Sequence, residues 1–248
     1  MDSDQQWNIP PANIVLQDNE VHVWQASLNV PLPDIDALKQ VLSREEVARA
    51  ERFYFEKGRH GYIVAHGLLR ILLGRYLDVD PRQLLFRTNA YGKPSVESPA
   101  RGEQLHFNLS HTHELVVYAF TATGEVGIDI EYTRANVEYE ALAKHSFSPS
   151  EYAVIGDLPA DLKQEAFFNC WTRKEAYIKA RGMGLSLPLD LFDVSLKPGE
   201  PAALLDSREN AQEVARWTFQ AMTMPPEYVG ALAVEGHGWH ACYWQWEM

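Results

Sequence analysis

Cysteine is scarce in this chain: Cys170 and Cys242 are the only two among 248 residues. So few thiols exclude a disulfide-stapled secreted scaffold, and two reduced thiols in a cytoplasmic protein are expected. Cys170 stands among aromatic residues and reads as a buried thiol. No apolar run approaches the roughly 18 residues of a membrane span, so no membrane role is expected. The opening Met1-Asp2-Ser3-Asp4 is acidic and polar, unlike a signal or transit peptide. Internal repeats, low-complexity tracts and long linkers are also missing. Positive charge is in deficit: 22 Lys+Arg against 34 Asp+Glu leave a net charge of −12. That balance argues against nucleic acid as the main partner.

What is present is enough apolar content, 46% of residues, to build a core for one large domain or two small ones. The charge is unevenly spread. Between Lys39 and Arg101 there are 12 Lys+Arg and 7 Asp+Glu, a local excess of +5, and the remainder carries −17. A basic segment in an acidic protein suggests an anion-binding surface, although a solvated helix face has the same composition.

Local patterns order the elements. Val21 to Trp24 reads as a strand, followed by a loop through Pro31 and Pro33. Ser43-Arg44-Glu45-Glu46 has the form of a capping box and opens a helix from which Arg49 and Arg52 project. A second helix is expected over 59–77, with Ile63, Val64, Leu68, Ile71 and Leu72 as its apolar face. Strands are expected over 84–88, 105–109, 115–121 and 126–132, with a turn over 89–94. The second part repeats the order. Helices are expected over 137–145, 149–155 and 162–180, then strands over 191–196, 216–222, 228–234 and 239–246. Helices first and strands later, twice over, predict an α+β (α/β) protein of two similar units, 1–124 and 125–248, meeting near Gly124.

The run Val126-Gly127-Ile128-Asp129-Ile130-Glu131 carries the most chemistry. On a strand, alternation sends both isoleucines to the core and both carboxylates to the other face. Adjacent acids repel unless a cation lies between them, and Mg²⁺, which takes oxygen ligands and shares substrate phosphates, meets that need. A solvated acidic face is the alternative. In Trp171-Thr172-Arg173-Lys174-Glu175-Ala176-Tyr177-Ile178-Lys179, residues 171, 175 and 179 share one helical stripe. Glu175 and Lys179 therefore either face the strand pair or form a surface ion pair. Asn108-Leu109-Ser110-His111, placed at a strand end, offers hydroxyl, imidazole and backbone N–H groups to a phosphate, or simply caps a turn.

Taken together, Tyr91-Gly92-Lys93-Pro94, Phe107-Asn108-Leu109-Ser110-His111, the acidic strand, the Trp171–Lys179 helix and Gly182-Met183-Gly184-Leu185-Ser186-Leu187-Pro188-Leu189 resemble the Sfp-type 4′-phosphopantetheinyl transferases. The likeness runs in order from about 49 to 194. It implies a pseudo-dimer of two α/β halves with coenzyme A and Mg²⁺ between them. It also implies transfer of the phosphopantetheine arm to a serine of an apo acyl or peptidyl carrier protein, releasing adenosine 3′,5′-bisphosphate. By that resemblance Asp129, Glu131 and Glu175 hold Mg²⁺, and Lys179 reaches the coenzyme A phosphates. Arg49 and His111 meet the 3′-phosphate, with Arg52 and Arg59 as alternatives to Arg49. Lys93 and Ser110 line the nucleotide site. Glu175 is the favoured general base. Glu151 matches a family acid, yet Ser148-Pro149-Ser150-Glu151 is equally a capping box with proline at the first helical position. A single chain that builds the whole site suggests a monomer.

Overall fold

The computed structural model describes residues 5–97, 105–133 and 138–247. Met1 to Asp4, Arg101 and Val137, used in the expectations above, lie outside the described residues. The first part contains β1 (Glu20–Ser27), α1 (Leu32–Lys39), α2 (Arg44–Ala50), α3 (Glu56–Leu77), β2 (Phe86–Thr88), β3 (Pro94–Val96), β4 (His106–Thr112) and β5 (Leu115–Thr121). The second contains β6 (Val126–Tyr132), α4 (Tyr139–Ser146), α5 (Pro149–Asp157), α6 (Ala160–Arg181), β7 (Phe192–Val194), β8 (Leu204–Ser207), β9 (Trp217–Met222), β10 (Tyr228–Glu235) and β11 (His240–Gln245). The chain is thus a mixed α+β protein, and no described helix is long and apolar enough to cross a membrane.

Two sheets stack face to face. One has the order β11-β1-β5-β4 and the other β6-β10-β9. Val21, Val23, Val117 and Ala119 of the first sheet interlock with Val126, Ile128, Ile130 and Leu232 of the second. The outer face of the first sheet, with Trp24, Tyr118 and Phe120, packs on Leu68, Leu69 and Leu72 of α3. The outer face of the second, with Ala231, Ala233 and Phe219, packs on Ala176, Tyr177 and Ala180 of α6. The layers therefore run α3, sheet, sheet, α6, and period-two alternation supplies both faces of each sheet. Two short hairpins, β2-β3 and β7-β8, stand apart from these sheets.

Several elements depart from the expectations. The Pro31/Pro33 stretch opens helix α1 instead of a loop. Proline's fixed φ suits a first helical turn, where its missing N–H leaves no bond unmade. Asn108, Ser110 and His111 lie inside β4, not at its end, because the reversal comes at His113, which has φ 54°. β11 leaves the second part of the chain and pairs in parallel with β1, with Glu20 opposite His240 and Trp24 opposite Trp244.

Candidate active site

The site grows from one close approach. α6 crosses β6 so tightly that a methyl group on Gly127 would overlap Ala176 O and Ala180 N. Glycine alone permits that contact between backbones. As a result the outward face of β6, carrying Asp129 and Glu131, meets the α6 stripe carrying Trp171, Glu175 and Lys179. Trp171 Nε1 donates to Glu131 Oε1 at 3.2 Å. Lys179 Nζ donates to Asp129 Oδ1 at 2.6 Å and to Ser110 Oγ at 3.0 Å. Ser110 donates in turn to Asp129 Oδ1 at 2.9 Å. Two residues back on β4, Asn108 Oδ1 accepts from Ile128 N at 3.0 Å, which fixes β4 against β6 and aims Ser110. Neither the role of Gly127 nor that of Asn108 was expected; a glycine inside a β-branched strand is the only signal that marks the first.

The electrostatics show negative charge in excess. Asp129 is 3% exposed, and burial raises its pKa despite the Lys179 and Ser110 bonds. Burial and then the Asp129 charge push Glu131 up to about 7. Burial, followed by Asp129, also raises Glu175. Asp129 Oδ2 is buried and has no hydrogen-bond partner. An orphaned carboxylate oxygen beside two more acids is a donor set that suits a hard divalent cation such as Mg²⁺. As it stands the set is open: its ligand atoms do not all gather within 4.8 Å, as those of Glu20, His22 and Cys242 do among the described residues. Mg²⁺ normally keeps waters and shares substrate phosphates, so an open set fits it better than a closed cage.

Beside the acids lies a cavity of about 450 Å³ whose wall includes Arg49, Tyr62, His66, Ser110, His111 and Lys179. Arg49 comes from α2, whose capping box at Ser43 and Glu46 is formed as expected. Glu46 also accepts from the buried Arg70 at 2.7 Å, which locks α2 onto α3 and places Arg49. Of the alternatives to Arg49, Arg52 lines a neighbouring hollow and Arg59 turns to Glu56 at 3.5 Å. Desolvation and then the Lys179 charge hold the pKa of His111 below the ordinary imidazole value.

Tyr62 and His66, which sequence reasoning missed, stack at 4.0 Å between ring centroids. Burial lowers the His66 pKa from 6.5 to about 4. The unfolded chain then binds a proton that the folded chain refuses between pH 6.5 and 4. His66 therefore contributes stability above pH 6.5 that is lost as the pH falls towards 4. Urea unfolding across that range should show a shallower acid slope for His66→Phe than for the parent.

Two expected site residues are tied into the scaffold. Lys93 donates to Glu125 Oε2 at 2.6 Å, Val126 O at 3.2 Å and Ala180 O at 2.8 Å. Its three N–H groups are spent tying the β2-β3 turn to β6 and to the end of α6, and its ammonium is not on the cavity wall. Bonds from His106 and Lys93 hold Glu125 down at about 2. Glu151 is the second. It is 3% exposed and completes the capping box of α5. It pairs with the fully buried Lys174 at 2.8 Å and accepts from Val194 N at 2.8 Å. Both oxygens are thereby engaged in holding α5, Lys174 and β7 together, as the capping alternative expects. Glu151→Ala should lower stability by about 3–5 kcal/mol, the cost of stranding a buried partner charge, as read by denaturant unfolding.

Comparison with known proteins decides the family. Residues 125–233 match the model of the 4′-phosphopantetheinyl transferase superfamily, and residues 24–123 match that of the 4′-phosphopantetheinyl transferase N-terminal region. The 4′-phosphopantetheinyl transferase HetI of Nostoc sp. is 38% identical over 240 residues, covering 97% of this chain and 98% of that protein. The chain belongs to the 4′-phosphopantetheinyl transferase superfamily. This transferase is also 36% identical over 155 residues to Sfp of Bacillus subtilis, covering 62% of its own length and 66% of Sfp. A phosphopantetheinyl transferase of Thraustochytrium sp. is 30% identical over 211 residues, 81% of this chain and 72% of that one.

Proposed function

We propose that this transferase moves the 4′-phosphopantetheine arm of coenzyme A to a serine of an apo acyl or peptidyl carrier protein, with Mg²⁺, in the cytoplasm and as a monomer. The observation that carries the reading is the single bonded cluster of Asp129, Ser110 and Lys179, beside the partnerless Asp129 Oδ2 and at the wall of a cavity that also holds Arg49 and His111. We read Gly124 as the seam between the halves 1–124 and 125–248 of a pseudo-dimer, with β11 exchanged across it.

Within this reading the basic side chains receive coenzyme A. Arg49, His111 and Lys179 neutralise its phosphates, and the Ser110 hydroxyl bonds one of them. The local +5 of the Lys39–Arg101 segment then serves as an electrostatic approach for an anionic substrate. Asp129, Glu131 and Glu175 would hold Mg²⁺, which when bound withdraws charge from the pyrophosphate oxygens. The serine oxygen attacks the β-phosphorus, and the bond from that phosphorus to the bridging oxygen breaks. Adenosine 3′,5′-bisphosphate departs with the bridging oxygen. The serine proton passes to Glu175, directly or through a water. For the carrier, Leu185 is 73% exposed and offers an apolar contact, whereas Leu187 is 1% exposed and belongs to the core.

The test is a mass shift. Incubation with coenzyme A, Mg²⁺ and a panel of apo-carriers should add the phosphopantetheine mass to at least one carrier serine. Cleavage of coenzyme A with every carrier unchanged would identify a phosphohydrolase and overturn the reading. Arg49→Ala and His111→Ala should each raise KM for coenzyme A by about 10- to 100-fold with kcat within about twofold, since a charge-assisted hydrogen bond is worth ~1.5–3 kcal/mol and each ~1.4 kcal/mol is tenfold. Steady-state kinetics on the modified carrier reads the split.

A further inference from the structure

Away from the proposed active site, the β1–β11 pair gathers a second set of chemically active side chains. The strands are parallel, with Glu20 opposite His240 and His22 opposite Cys242. Alternation puts all four on the face that carries Trp24, beneath the end of α3 where Tyr76 stands. One ligand atom from each of Glu20, His22 and Cys242 lies within 4.8 Å of the others. Glu20 Oε2 is 3.1 Å from His22 Nε2, and Glu20 Oε1 is 3.4 Å from His240 Nε2. The carboxylate therefore sits between two imidazoles with a thiol beside it.

The buried member is held from behind. His22 is 2% exposed, and its Nδ1 lies 2.8 Å from the Tyr76 hydroxyl. That hydroxyl also accepts from Trp24 Nε1 at 2.8 Å. Fixing Nδ1 in this way leaves Nε2 to face the cluster, which is how metal-bound imidazoles are oriented. The His240 side chain is 57% exposed, so the cluster opens to solvent and an ion has a way in.

We propose that Glu20, His22, His240 and Cys242 form a zinc-binding site that clamps β11 to β1. A thiolate, two imidazoles and a carboxylate form the softer, mixed donor set that Zn²⁺ takes, whereas Mg²⁺ and Ca²⁺ select oxygen alone. Four protein donors make a closed tetrahedral site of the structural kind. Around such an ion, donors stand roughly 3.3–3.8 Å apart, given Zn–N near 2.0–2.1 Å and Zn–S near 2.3 Å, so the three grouped donors draw inward and the exposed His240, which lies outside that group, swings in to complete it. Binding removes the Cys242 proton to solvent. None of the four residues belongs to the transfer site, and the inference stands apart from the proposed function.

The experiment uses the full chain stripped with chelator, dialysed and titrated with Zn²⁺ against a chromophoric competitor. One zinc per chain should bind, and Co²⁺ in its place should give a thiolate charge-transfer band. Cys242→Ser and His240→Ala should each weaken binding by at least about 10-fold, and Asp129→Asn should leave it unchanged. Because His240 is exposed, its variant keeps the fold and remains informative if Cys242→Ser does not. Absence of stoichiometric zinc, zinc that survives both the Cys242 and His240 changes, or zinc lost on Asp129→Asn would each overturn the proposal.

Discussion

Asp129→Asn should reduce carrier modification by about 10²–10³-fold or more, the scale of losing a preorganised electrostatic group, with the chain still folded. Asn keeps the shape and can still accept from Ser110 and Lys179, so packing between β6 and α6 survives. What it removes is the charge that adds to burial in raising Glu131 and Glu175 and the unpaired oxygen left for a cation. Millimolar Mg²⁺ should raise the Tm of the parent and leave that of the variant unmoved. Single-turnover kinetics at saturating coenzyme A, beside thermal unfolding, measures both. A variant that keeps parental activity would remove Asp129 from the metal site.

Gly127→Ala should have the second-largest effect, although the residue touches no substrate. The added methyl has backbone of α6 in front of it, at Ala176 and Ala180, and no flexible side chain that could yield. Overpacking of this kind costs ~1–3 kcal/mol or more. Here the relief is a shift of α6 away from β6. That shift withdraws Glu175 and Lys179 from Asp129, and displacement by about 1 Å at a reacting centre can cost on the order of 10²-fold in rate. Urea unfolding and kcat should therefore fall together. A variant as stable and active as the parent would show that α6 is not seated on β6 in this way.

The parts of the site that rest on local periodicity were legible in the sequence. Two isoleucines alternating with two acids specify a strand with one buried and one functional face, and β6 has it. Residues 171, 175 and 179 fall on one helical stripe, and Trp171 and Lys179 do reach β6 residues. The capping box at Ser43 fixed the start of α2 and hence the place of Arg49. What stayed hidden depends on partners distant in the chain. Lys93 is expected by resemblance on the nucleotide site, and nothing in its turn shows that Ala180 O and Glu125 lie beside it. Glu151 fits a cap and a catalytic acid equally well until Lys174 is seen buried against it. Three-residue strands such as β3 and β7 are too short to show alternation, and the parallel β1–β11 pairing joins segments with no shared local pattern.

That last pairing constrains the order of assembly. While residues 240–245 are still unmade, β1 is a bare edge that presents unsatisfied N–H and C=O groups to any neighbouring chain. A nascent first half therefore emerges sticky and unfinished, and the sheet is completed only by a contact more than two hundred positions apart, which adds loop-closure entropy to the search.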